Sequence, residues 1–229
     1  MPFYVAPEQV MKDRADYARK GIARGRALAA VRYRDGIAMV AENASSTLRK
    51  VSEIYDRIAF AGVGRYNEFD QLRVAGVRAA DLKGYQYSRD DVDARSLAKQ
   101  YAQILGQIFT HEMKPMEVEI LVAEVGATSD GDQMFHILYD GTAYDFRDTA
   151  VLGGDSKAIG ERLQEQLGAG VDHAELDLET VVAAAVAALG GPDRTIPADE
   201  LEIALLSRGN GRRCFRRLGE AAVAAIVAG

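Results

Sequence analysis

The spacing of apolar and polar positions changes several times along the chain. From Pro7, apolar Met11, Ala15, Ala18 and Ile22 recur at i, i+4, i+7 and i+11. That stripe predicts a helix over 7–24, opened by proline and ended at Gly25. Between Arg26 and Gly62 the pattern becomes apolar run, turn, apolar run, twice over. Arg34-Asp35-Gly36-Ile37 predicts a tight hairpin with positive φ at the glycine. Tyr55-Asp56-Arg57 is a weaker break, so one early sheet core of about four strands is expected. Helical spacing returns over 65–83, burying Tyr66, Phe69, Leu72 and Val77, with Gly84–Tyr87 as an aromatic connector. Ser88-Arg89-Asp90-Asp91 is read as the start of a third helix, with Leu97, Tyr101, Ile104, Leu105 and Ile108 inward and a loop over 111–115.

A second strand-rich set follows. Residues 117–124 alternate, 133–139 form another strand closed by Asp140-Gly141, and 142–146 and 149–153 complete the set. Asp155 or Ser156 caps a helix to Leu167. Another helix ends at Gly190-Gly191-Pro192, a strand pair spans 201–206 and 213–216, and a helix over 218–227 closes the chain. The order is helix, four strands, two helices, four strands, two helices, two strands, helix. Hairpin-joined strands predict an α+β fold: two antiparallel sheets face to face, covered by helices. The expected organisation is a short segment 1–6 ahead of a single domain, 7–229.

Charge and composition narrow the function. A net charge of −6 argues against nucleic-acid binding by broad phosphate neutralisation. No apolar run reaches the ~18 residues of a membrane span, and the N-terminus has no secretory pattern. The single cysteine, Cys214, excludes an intrachain disulfide and fits a cytoplasmic setting. His111, His136 and His173 lack partners at metal-ligand spacing, so neither metal nor cofactor is expected. Gly153-Gly154-Asp155-Ser156-Lys157 has no phosphate-loop spacing and reads as a capped strand-to-helix turn. The pairs Asp90/Asp91 and Asp130/Asp132 read as solvated turn residues.

Several stretches carry a family resemblance. PEQVMKDRADYARKG, ARKGIARGRALAAVRYRDGIAMVAEN, KVSEIYDRIAFAGVGRYNEFDQLR and KPMEVEILVAEV resemble proteasome α-subunits of the actinobacterial type, and the likeness covers nearly the whole chain. The resemblance implies the four-layer αββα sandwich of N-terminal nucleophile hydrolases, with an extra N-terminal helix. In catalytic β-subunits of that family, an N-terminal threonine at the start of the first strand attacks the peptide carbonyl, with its own amine as base. Counting back from the Asp-Gly hairpin, Arg26 holds that position. It has no nucleophilic oxygen, and being internal it has no free amine. Glu42 and Lys50 fall where the family's acid and lysine sit, across a shorter loop. No catalytic residue is therefore expected.

The implied role is a gating subunit. Copies of the chain would form a seven-membered ring on a ring of β-subunits. Met1, Pro2, Phe3, Tyr4, Val5 and Ala6 would gate the pore. His111, Glu112, Met113 and Lys114 would line an inner constriction passed by unfolded protein substrates. Lys50 would receive the C-terminal carboxylate of an ATPase ring or ATP-independent activator. The alternatives are an amidohydrolase of the same fold using Ser45, Ser46 or Thr47, and a free-standing binding module.

Overall fold

A computed structural model describes residues 6–168 and 170–228. Its elements follow the expected order. They are α1 (Pro7–Ile22), β1 (Leu28–Tyr33), β2 (Gly36–Glu42), β3 (Val51–Tyr55), β4 (Ile58–Gly64), α2 (Tyr66–Gln86) and α3 (Ala94–His111). Then come β5 (Val118–Glu124), β6 (Gln133–Ile137), β7 (Ala143–Phe146), β8 (Thr149–Leu152), α4 (Ser156–Leu167) and α5 (Leu178–Gly190). The chain closes with β9 (Leu201–Ser207), β10 (Phe215–Arg217) and α6 (Glu220–Ala228). Among the described residues no helix is long and apolar enough to cross a membrane.

Two five-stranded antiparallel sheets result, ordered β10-β9-β2-β1-β8 and β3-β4-β5-β6-β7. The four early strands do not share one sheet. The β1–β2 hairpin joins one sheet and the β3–β4 hairpin the other, with residues 43–50 crossing between layers. Strand periodicity sorts the core. In β2, Ile37, Met39 and Ala41 face the opposing sheet, where Leu121, Ala123 and Met134 meet them. Ala38 and Val40 point the other way, toward Val181, Val182, Ala185 and Leu163 of α4 and α5. Beyond the second sheet, Phe60, Ile120 and Val122 pack on Leu97, Tyr101 and Leu105 of α3 and Phe69 and Leu72 of α2. The layers are therefore αββα. With both faces covered, β1 and β2 are buried at every position and, apart from Arg32 and the terminal Glu42, are apolar and show no in-out alternation.

Local chemistry sets the boundaries. Gly36 has φ +151°, as the Asp-Gly hairpin requires, and Asp155 caps α4 through the amide of Ala158. The predicted glycine break at 84 is absent: α2 runs through Gly84 to Gln86, leaving Tyr85 90% exposed. Glycine is needed there for packing, because a Cβ would stand 2.1 Å from the Tyr55 hydroxyl. Nor does α3 begin at Ser88. That serine caps a short 3₁₀ turn, and Asp93 caps α3 by accepting from Ser96 N at 2.8 Å. Asp132 is no solvated turn residue; it is buried and pairs with Arg208 at 2.6 Å.

The N-terminal helix is shorter than predicted and ends at Ile22, where Gly25 N returns to the Ile22 carbonyl. Its stripe is buried only in part. Met11 stays in solvent, whereas Ala18 and Ile22 belong to the core between the two sheets and the partly buried Ala15 packs against it. Gly21 lies against the Glu117 carboxyl group, where a Cβ would come within 2.2 Å of oxygen. The last turns of α1 thus wedge into one end of the sandwich.

Candidate functional site

Strand pairing gathers the site at that end. Arg26 lies two residues ahead of β1, and Leu28 of β1 pairs with Ala41 of β2, which brings Glu42 alongside. Ala41 in turn pairs with Glu202 of β9. Lys50 opens β3 in the other sheet and donates from Nζ to the Arg26 carbonyl at 2.5 Å, joining the layers.

Two buried carboxylates organise the cations. Glu42 is 4% exposed and receives Nη1 of both Arg26 and Arg194, with Arg194 Nη2 on its second oxygen at 2.8 Å. The Arg194 hydrogen bond, opposed by burial, holds Glu42 below the usual carboxylate range. Glu202 accepts from Asn43 Nδ2 at 2.7 Å, Lys50 N at 2.9 Å, Val51 N at 3.2 Å and Arg217 Nη1. It therefore fixes both the loop that carries Lys50 and the start of β3. Burial pulls the half-buried Lys50 ammonium down to about 8; Glu42 and Glu202 oppose this and Arg26 adds to it.

The cluster presents cationic hydrogen-bond donors, Arg26, Arg194 and Lys50, around one buried carboxylate. Arg26 offers a guanidinium and its amide lies within the chain. Ser45 Oγ is taken up inside its loop, accepting from Leu48 N at 3.0 Å. The histidines lie elsewhere. His136 contacts Glu119 at 3.2 Å between the sheets, His111 meets the Gln107 carbonyl at the end of α3, and His173 is buried in a 3₁₀ turn. Cys214 is buried, with its thiol pushed up by desolvation. Among the described residues no group of His, Cys, Asp and Glu side chains could hold a metal ion.

Of the other predicted positions, Met1–Val5 lie outside the described residues, and Ala6 is the exposed N-cap of α1. His111 ends α3 and is not part of a loop, while Glu112, Met113 and Lys114 follow it in solvent, Met113 at 99% exposure. Arg14 of α1 donates to the carbonyls of Ile108 and Glu112, and Lys114 pairs with Glu68 at 2.6 Å and Glu117 at 3.0 Å. Arg194, Glu202, Arg217 and Asn43 were not expected. The legible signal was the lone carboxylate inside the apolar strand 201–206.

A helix-covered double sheet, with its own N-terminal helix in the cleft and arginine at the head of β1, defines an N-terminal-nucleophile-hydrolase fold with no hydroxyl at the attacking position. The chain belongs to the proteasome subunit family, whose profile, described as "Proteasome subunit", matches residues 22–204. It is similar to "Proteasome subunit alpha" of Acidimicrobium ferrooxidans, with 62% identity over 218 residues, covering 95% of this chain and 92% of that protein. The like-named protein of Kineococcus radiotolerans is 55% identical over 233 residues, covering 100% and 98%. That of Xylanimonas cellulosilytica is 54% identical over 229 residues, covering 97% and 94%.

Proposed function

We infer that this chain is a non-catalytic α-type ring subunit of a proteasome core particle, working in the cytoplasm. Seven copies form a ring on β-subunits that hold the threonine-type peptidase activity. The ring admits unfolded protein through a pore gated by residues 1–6 and narrowed by His111, Glu112, Met113 and Lys114, ahead of a single domain, 7–229. Arg26 carries the reading: an internal guanidinium, clamped to Glu42, stands where a hydroxyl and a free amine would have to be. Exposure of Met113 and its neighbours at the end of α3 supports the constriction.

Lys50 docks the C-terminal carboxylate of an ATPase ring or ATP-independent activator. A half-buried ammonium gains a strong, charge-assisted partner in such a group. Repeated around a ring, weak single contacts add to firm attachment. The test is activator-stimulated protein degradation by the assembled particle, expressed relative to its unstimulated rate. Lys50→Ala is expected to abolish stimulation, and unchanged stimulation would remove Lys50 from the site. In the unaltered particle, stimulation should fall as pH rises through about 8, because the ammonium loses its proton there and the carboxylate loses its partner.

A further inference from the structure

We propose that the guanidinium of Arg26 is a second ligand for the docking carboxylate, beside Lys50. This rests on the reading of Lys50 as the docking residue and extends it to a two-cation site. Arg26 is anchored at one end and free at the other. Nη1 is held on Glu42, yet the side chain is 57% exposed, and among the described residues no other part of its fork meets an acceptor. Glu42 is itself fixed from behind by both Nη atoms of Arg194. The free edge of the fork is thus held in place before any ligand arrives, which lowers the ordering cost of binding.

The local charge calls for an anion. Arg26, Arg194 and Lys50 face Glu42, Glu200 lies within reach of Arg194, and Glu202 is matched by Arg217. One positive charge remains over, on a chain whose net charge is −6. Arg26 and Lys50 disfavour each other, and Lys50 Nζ currently satisfies itself on the Arg26 carbonyl. A carboxylate shared between them removes that repulsion and gives the planar fork the partner its geometry fits. The source we assign is a chain-terminal carboxylate, the same group read above as docking on Lys50.

The experiment uses the assembled particle and a fluorescein-labelled pentapeptide ending in leucine, followed by anisotropy. Three forms are compared: free C-terminus, C-terminal amide, and an amide with glutamate in place of leucine. The free form is expected to bind, with both amides at least about tenfold weaker. Arg26→Gln should weaken the free form by about tenfold. Arg26→Lys keeps the charge that pairs with Glu42 but loses the fork, and should weaken it by more than about threefold. Should the glutamine variant fail to assemble, the lysine variant decides alone. Smaller losses in these variants, with Lys50→Ala still abolishing binding, would overturn the role of Arg26 and leave the docking reading standing. Equal binding of free and amidated peptides, unaffected by Lys50→Ala, would overturn both. Tight binding of the glutamate amide would overturn the terminal source.

Discussion

Glu202→Ala is expected to lose about 3–5 kcal/mol of stability, more than any substitution at the exposed residues of the site. The carboxylate is almost wholly buried and holds Arg217, two backbone amides and the Asn43 side chain. Its removal leaves a partly buried guanidinium without its counter-charge and two amides with no acceptor, each with its own desolvation cost. Arg217 would keep its bond to the Val51 carbonyl at 2.6 Å, which limits the loss but does not restore the charge balance. Urea unfolding of the purified chain measures it. Glu202→Gln should fall in between, because an amide oxygen still accepts from the backbone while the charge is gone. A loss below about 1 kcal/mol for the alanine variant would mean that the 43–50 loop is held by other contacts.

At the opposite end of β2, Gly36→Ala should cost at least about 3 kcal/mol. The backbone there has φ +151°, and a Cβ would stand 1.9 Å from the Leu206 carbonyl oxygen of the paired strand. That oxygen belongs to backbone and cannot swing away, so β9 must part from β2 or the turn must change type. For a chain of this size, about 2–4 °C per kcal/mol translates to a drop of about 6–12 °C in melting temperature. Gly209→Ala is the control: nothing lies within 4 Å of a Cβ there, and its melting temperature should stay unchanged. Equal melting of the two variants would show that the hairpin relaxes at little cost.

Order and type of the elements were legible because hairpin glycines, caps and periodicity are local. Asp35-Gly36 and Asp140-Gly141 both mark turns with a glycine at positive φ. The assignment of hairpins to sheets was not legible. Apolar alternation says that a strand has a buried face and leaves open which sheet it joins, and residues 43–50 look like any polar connection. Gly84 misled for a related reason: its role is set by Tyr55, a residue on another element. At the site, Arg26, Glu42 and Lys50 could be placed from the first strands. Arg194 and Glu202 could not, since Glu42–Arg194 and Lys50–Glu202 are each 152 positions apart and carry no local motif. Asp132 was hidden in the same way, its partner Arg208 lying 76 positions away.

Ala18 and Ile22 occupy the space between the sheets. The cleft is stoppered by the chain's own helix, so a peptide could enter it only by displacing the last turns of α1.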